Sequence, residues 1–176
     1  VVDDSERFLA HNYAPLPFVS SEGYGARYRG VDGEQYIDML SGYSATNFGI
    51  RHPRIVEAAK RQIDRLPTDP RCFYNDVRAK FARVITGFCG MDRVLPKVTG
   101  TDAVESAIFI ARKWGYVVRG GVKKNQAEII SCYENFHGRT MGSRSMSTTK
   151  EYRDLFGPLA PGFNWVPFKD PDALGK

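Results

Sequence analysis

Apolar side chains recur at helical spacing in three stretches of this 176-residue chain. Between residues 54 and 66, Ile55, Ala58, Ala59 and Ile63 share one face, with His52-Pro53 before them and Pro67 after. That pattern predicts an amphipathic helix. A second stripe, Val77, Phe81, Val84 and Ile85, predicts a helix over 77–88. A third runs through Val104, Ala107, Ile108, Ala111 and Gly115. Residues 24–40 alternate instead, and Asp32-Gly33 sits between two strand-like runs, so 26–30 and 35–39 are expected to pair as a hairpin. Residues 128–132 read as a short buried strand, 152–156 as a short helix, and Pro161-Gly162 as a turn into another strand. The acidic residues 3–9 are compatible with a further helix. Helices alternate with strands from about residue 51 onward, which predicts α/β layering with a parallel-type sheet.

The third helix begins in an unusual way. Val98-Thr-Gly-Thr-Asp-Ala-Val-Glu105 passes from an apolar, strand-like run into the helix, and Asp102 with Glu105 has the spacing of a carboxylate capping box. A Thr99-Gly100-Thr101 turn at a helix start offers unpaired N–H groups, two hydroxyls and the positive end of the helix dipole. This is a seat for an anion, typically a phosphate. A plain capped helix satisfies the same local pattern, and locally it is the better account.

Composition sets limits. Hydrophobic content of 42% and charged content of 26% are those of a globular protein with a core. The net charge of +5 is spread over many lysines and arginines, which read as solvated helix faces and not as a nucleic-acid groove. Three well-separated cysteines and three histidines suggest neither a disulfide framework nor a zinc site. No apolar run has transmembrane length and no signal-peptide pattern is present, so a reducing interior is expected: the cytoplasm, or a mitochondrial matrix after removal of a transit peptide.

Four other segments carry candidate chemistry. His11-Asn-Tyr-Ala-Pro-Leu-Pro17 is forced into an extended path by its prolines, and Tyr13 there is either a packing aromatic or a phenol aimed into a site. Ser41-Gly-Tyr-Ser-Ala-Thr-Asn-Phe-Gly49 is a loop of small polar residues around Tyr43, of the kind that carries substrate contacts on a rigid scaffold. Asn135-Phe-His-Gly-Arg-Thr140 follows a predicted strand and so lies at its carboxyl end, the edge where open α/β sheets bind ligands. Phe136 there could stack on a flat ring, and Arg139 could hold a carboxylate. Residues 143–150 are rich in Ser and Thr.

These motifs together resemble the class III (subgroup II) pyridoxal-phosphate-dependent aminotransferases, most closely their ornithine-using branch. The likeness is carried by His11-Asn-Tyr-Ala-Pro-Leu-Pro, Asp38-Met-Leu-Ser-Gly-Tyr-Ser-Ala, His52-Pro-Arg-Ile, Cys72-Phe-Tyr-Asn, Val98-Thr-Gly-Thr, Ala111-Arg-Lys-Trp-Gly-Tyr, Asn135-Phe-His-Gly-Arg-Thr and Phe156-Gly-Pro. Each motif is weak alone; their order and spacing are specific. The resemblance implies the N-terminal part of a fold-type I transferase, with residues 1–50 contributing to a small domain and 51–176 opening the large cofactor domain.

It further implies pyridoxal 5'-phosphate as cofactor, with its phosphate on Thr99, Gly100 and Thr101, its ring on Phe136 and His137 beside it. Tyr13, Tyr43 and Arg139 match substrate positions, and Tyr43 favours ornithine over N-acetylornithine or 4-aminobutyrate. The implied reaction moves the δ-amino group of ornithine to 2-oxoglutarate in a homodimer. The lysine that joins the cofactor and the aspartate facing its ring nitrogen would lie beyond Lys176, in a C-terminal remainder that this chain needs as a partner. Val104 and Gly49-Ile-Arg-His depart from the usual pattern. Outside the family, a phosphate-binding α/β module with no enzymatic activity is the alternative.

Overall fold

The computed structural model describes residues 1–175, which divide into two units, Val1–Ala79 and the stretch from Lys80 onward.

In the first unit, α1 (Val2–Phe8) has Asp3 and Asp4 in its first turn and Arg7 in its last, each placed favourably for the helix dipole. The expected hairpin forms between β2 (Arg27–Gly30) and β3 (Gln35–Ile37), with Gly33 at φ +87° in its turn. A strand the alternation did not disclose, β1 (Ser20–Tyr24), adds antiparallel to β2 across an irregularity between Ser20 and Glu22. Phe18 packs its ring on Tyr36 (4.4 Å) and Tyr28 (6.2 Å), which pair across β2 and β3. Past the sheet, α2 (Pro53–Arg65) starts on a proline, whose missing N–H costs nothing there. Arg65–Asp76 and Arg78–Asp69 ion pairs at 3.2 and 2.8 Å brace the following loop. Then α3 (Asp76–Cys89) leads into the second unit, with Asn75 accepting from the Arg78 amide at its start.

The second unit is built on α4 (Gly100–Trp114), which continues through a wide π-turn, Gly115–Arg119, and stops at Gly120, φ +72°. Strands β4 (Ile129–Cys132) and β5 (Phe163–Val166) pair in parallel, as the alternation of elements predicted, with Ile129 opposite Phe163 and Cys132 opposite Val166. Between them lie two short helices, α5 (Met141–Met146) and α6 (Lys150–Arg153), and Pro171–Gly175 closes the described residues as a 3-10 turn. Ile108, Met146 and Phe163 form the buried core, flanked by Val104, Ile129, Ala160 and Trp165.

Two expectations change here, and one stretch that the sequence left unassigned takes on structure. The short helix read at 152–156 sits at Lys150–Arg153 and stops where Asp154 turns extended. The Ser/Thr-rich stretch holds a helix, α5, whose Ser143 and Ser145 are almost fully buried. Their hydroxyls meet partners inside the fold: Ser145 Oγ donates to the Met141 carbonyl and accepts from the Ala160 amide. The run before Thr99 forms no strand among the described residues, since no neighbouring strand supplies a ladder for it.

Candidate functional site

Thr99 is the N-cap of α4, and its hydroxyl accepts from the Asp102 amide at 3.1 Å. Asp102 in turn accepts from the Val98 amide (3.4 Å) and pairs with Lys97 at 3.0 Å. The capping exchange expected of Asp102 and Glu105 therefore sits one helical turn earlier, between Thr99 and Asp102. A threonine that can close the turn from the outside takes the cap, and the helix gains its first residue at Gly100. The amides of Gly100 and Thr101 lie in the first turn, where a helix contains no acceptor for them. A Cβ built on Gly100 meets nothing within 4 Å, so the turn has open space in front of it. Because Lys97 neutralises Asp102, the pull on an anion comes from the amides and the dipole.

The second site segment reaches this turn. Gly138, at φ +118°, lies so close to Thr101 that a Cβ there would collide with the threonine side chain, whose Cβ and Cγ2 would be 2.9 Å away. Only glycine allows both the backbone angle and the approach. The sequence thus brings Thr99-Gly100-Thr101 and His137-Gly138 together across the second unit, although they are far apart in the chain.

Residues 134–140 are pinned from behind. Asn135 Nδ2 donates to the carbonyls of Cys132 (2.6 Å) and Met146 (2.8 Å), and the Glu134 amide donates to Thr148 Oγ1 at 2.9 Å. With its amide nitrogen occupied, Asn135 can only accept through Oδ1, which lies 2.8 Å from His137 Nδ1. That network assigns the ring proton to Nδ1 and leaves Nε2 as an acceptor in the neutral ring. Phe136 is 62% exposed and touches Tyr152 edge-on at 5.7 Å, which leaves its face open to a flat partner. Arg144, stacked on Phe156 at 3.8 Å, donates to the Arg139 carbonyl and so fixes the backbone from which the Arg139 side chain extends.

Tyr13 and Tyr43 belong to the first unit and are both largely exposed. Tyr43 stands in a left-handed turn: Ser41, Gly42, Tyr43 and Ser44 have φ of 54°, 52°, 54° and 75°. Asp38 holds the entry to that turn, accepting from the amides of Leu40 (2.9 Å) and Ser41 (2.8 Å). Three residues other than glycine in this region cost about 1–2 kcal/mol each, a strain that persists only where it is over-determined.

Open amides at a helix start and a parallel strand pair in the same unit define an α/β protein with a candidate anion seat. The family model for aminotransferase class-III matches residues 8–176, and the chain belongs to that family. The ornithine aminotransferase of Bacillus subtilis is 46% identical over 174 residues, covering 99% of this chain and 43% of that relative. A crystal structure of the Toxoplasma gondii ornithine aminotransferase, described as having partial occupancy of PLP at its active site, matches with a TM-score of 0.94 at 40% identity, over 98% of this chain and 40% of that one. The acetylornithine aminotransferase of Elizabethkingia anophelis matches with a TM-score of 0.78 at 38% identity, over 98% and 38%. The chain spans about two fifths of the length of the relatives it matches.

The sequence reading gave Glu105 a capping role that the structure does not bear out. Glu105 lies in the second turn of α4 and takes no part in its cap. Its carboxylate instead accepts from Thr140 Oγ1 and from the Ser143 amide (3.3 Å) at the start of α5. The only sequence signal was the misplaced capping box.

Proposed function

We propose that this chain is the cofactor-seating part of a pyridoxal-phosphate-dependent aminotransferase that moves the δ-amino group of L-ornithine to 2-oxoglutarate. The observation that carries this is the close approach of Gly138 to Thr101, which links the segment bearing Phe136 and His137 to an open helix start. The amides of Gly100 and Thr101, with the hydroxyls of Thr99 and Thr101, would hold the phosphate, as at other helix N-termini. Phe136 would cover one face of the ring, and His137 would offer Nε2 next to it. When bound, the cofactor supplies an electron-withdrawing ring that accepts charge from the substrate carbon. Arg139 would pair with the substrate carboxylate through its two-pronged guanidinium; Tyr13 is assigned to the substrate from the family resemblance alone. Tyr43 would contact the substrate, and a tyrosine at that family position favours ornithine over N-acetylornithine or 4-aminobutyrate.

Lys97 is engaged with Asp102, and we assign the lysine that joins the cofactor to the remainder of the polypeptide, as the family resemblance implies. We also assign residues 1–50 to the small domain, a homodimer to the complete enzyme, and the cytoplasm as its compartment. No helix among the described residues is long and apolar enough to cross a membrane.

The experiment is amine-donor kinetics of the complete polypeptide. Ornithine with 2-oxoglutarate is expected to turn over, and N-acetylornithine and 4-aminobutyrate to be poor donors. Turnover of N-acetylornithine without ornithine would move the assignment within the family. Arg139→Ala should raise the ornithine KM by about tenfold or more, the cost of a charge-assisted pair, with cofactor affinity nearly unchanged.

A further inference from the structure

We propose that Glu105 is a positioning residue of the cofactor site: it tethers the ring-covering segment 135–140 to the helix that carries the phosphate turn. The inference rests on the assignment of Thr101 and Phe136 to the cofactor made above.

The geometry begins with one face of α4. Thr101, Glu105, Ile108 and Arg112 follow at spacings of four, three and four, so they form a single stripe. Each holds a different part of the second unit. Thr101 meets Gly138. Ile108 enters the core with Met146 and Phe163. Arg112 donates to the Pro161 carbonyl at 2.8 Å and stacks over Phe163. Glu105 sits between the phosphate turn and the core, half-buried, and gathers the start of α5.

Capping α5 does not require Glu105, because Thr140 already occupies the N-cap and accepts from the Ser143 amide. What Glu105 adds is a link to another helix. The glycine at 142 fits the same purpose, since a Cβ there would lie 2.6 and 2.7 Å from the two carboxylate oxygens. A side chain at 142 would therefore push the carboxylate off its donors. Glycines at 138 and 142 and the hydroxyl at 140 together let residues 138–143 lie flat along the Thr101–Glu105 edge. With both ends fixed, Phe136 is held at a set distance from the amides of Gly100 and Thr101. The ring and the phosphate of one ligand need that distance constant.

The test uses the complete enzyme stripped of cofactor, titrated with pyridoxal phosphate and, in competition, with inorganic phosphate. Glu105→Ala should raise the pyridoxal phosphate Kd by about tenfold, equivalent to ~1.4 kcal/mol. Affinity for inorganic phosphate should change by less than about twofold, because the turn that binds it belongs to α4 itself. Glu105→Gln keeps an acceptor oxygen and should recover most of the loss. Thr140→Val removes the hydroxyl at nearly constant shape and should weaken pyridoxal phosphate several-fold; with Glu105→Gln it decides the matter where Glu105→Ala does not fold. Amide exchange at Ser143 in the cofactor-free protein should accelerate in Glu105→Ala. Unchanged pyridoxal phosphate affinity in these variants, a parallel fall in phosphate affinity, or a glutamine no better than alanine overturns the proposal. A wild-type enzyme that does not bind pyridoxal phosphate overturns the function proposed above; the Ser143 exchange response then shows separately that the tether exists.

Discussion

Asp32 shapes the hairpin through charge as well as through its turn. Its Oδ1 accepts from the Glu34 amide at 3.0 Å and its Oδ2 from the Tyr36 hydroxyl at 3.3 Å. The Asp32 charge, then burial, the hydrogen bond itself and the more distant Glu34 hold the Tyr36 phenol above its ordinary range. A group whose proton is held more tightly in the folded state gives stability that is complete below the unfolded value, ~10 for tyrosine. That contribution disappears as pH rises through the folded value. In phenolate absorbance, the component lost in Tyr36→Phe should titrate above the ordinary tyrosine range, and Asp32→Asn should bring it down. A Tyr36 component that ignores Asp32→Asn would show the cause to be elsewhere. Tyr43 illustrates a different kind of constraint. Its side chain was legible as a candidate contact from the composition of its loop and from the family motif. The left-handed turn beneath it was not, because only Gly42 among residues 41–44 signals positive φ.

Helix α4 was the most readable element, since its stripe has the right period and its turn the right residues. What the stripe did not disclose is that three of its four inward positions are polar. Hydrophobic periodicity finds Ile108 and passes over Thr101, Glu105 and Arg112, whose partners come from residues 138–143 and 161–163. The same limit applies to α5: hydrophobic periodicity assigns nothing to a run of serines and threonines whose hydroxyls are satisfied inside the fold. The short strand pair was legible from its flanking turns, and Gly162 shows what holds it. At φ +85°, a Cβ on Gly162 would come within 2.7 Å of the Ala127 carbonyl, just before β4. Gly162→Ala should therefore cost about 1–3 kcal/mol in denaturant unfolding of the complete protein, with β4 and β5 amides losing protection first. A neutral Gly162→Ala would mean that β5 can slide along β4.

Across the described residues, the accessible surface is 14,846 Å². A folded monomer of 19.8 kDa would expose about 8,600 Å². Large apolar side chains stand in that surface: Phe88, Leu155, Met39 and Val98 are each more than 85% exposed, and Phe109 and Ile110 more than half. Surfaces of this kind belong in interfaces. Residues 1–176 expressed alone should bind a hydrophobic dye such as ANS strongly and self-associate. Adding the remainder of the polypeptide should quench both signals at one-to-one stoichiometry. A monomeric, dye-silent 1–176 would show that the exposed faces close on themselves. Fold class and site motifs could be read from the sequence because they are local patterns. The partners of these faces could not, since an apolar stripe has the same spacing whatever covers it.

The Met146 carbonyl receives Asn135 Nδ2 at 2.8 Å, Trp165 Nε1 at 2.7 Å and, more distantly, Ser131 Oγ at 3.3 Å. One oxygen thus joins β4, β5 and the segment that bears Phe136 and His137. No point substitution deletes a main-chain carbonyl, so residue 146 can vary in identity while the junction endures. Genetic drift at this hub reaches the site through the three donors alone. Lineages that exchange Asn135 or Trp165 should therefore show compensating changes around His137 more readily than lineages that exchange Met146 for another apolar residue.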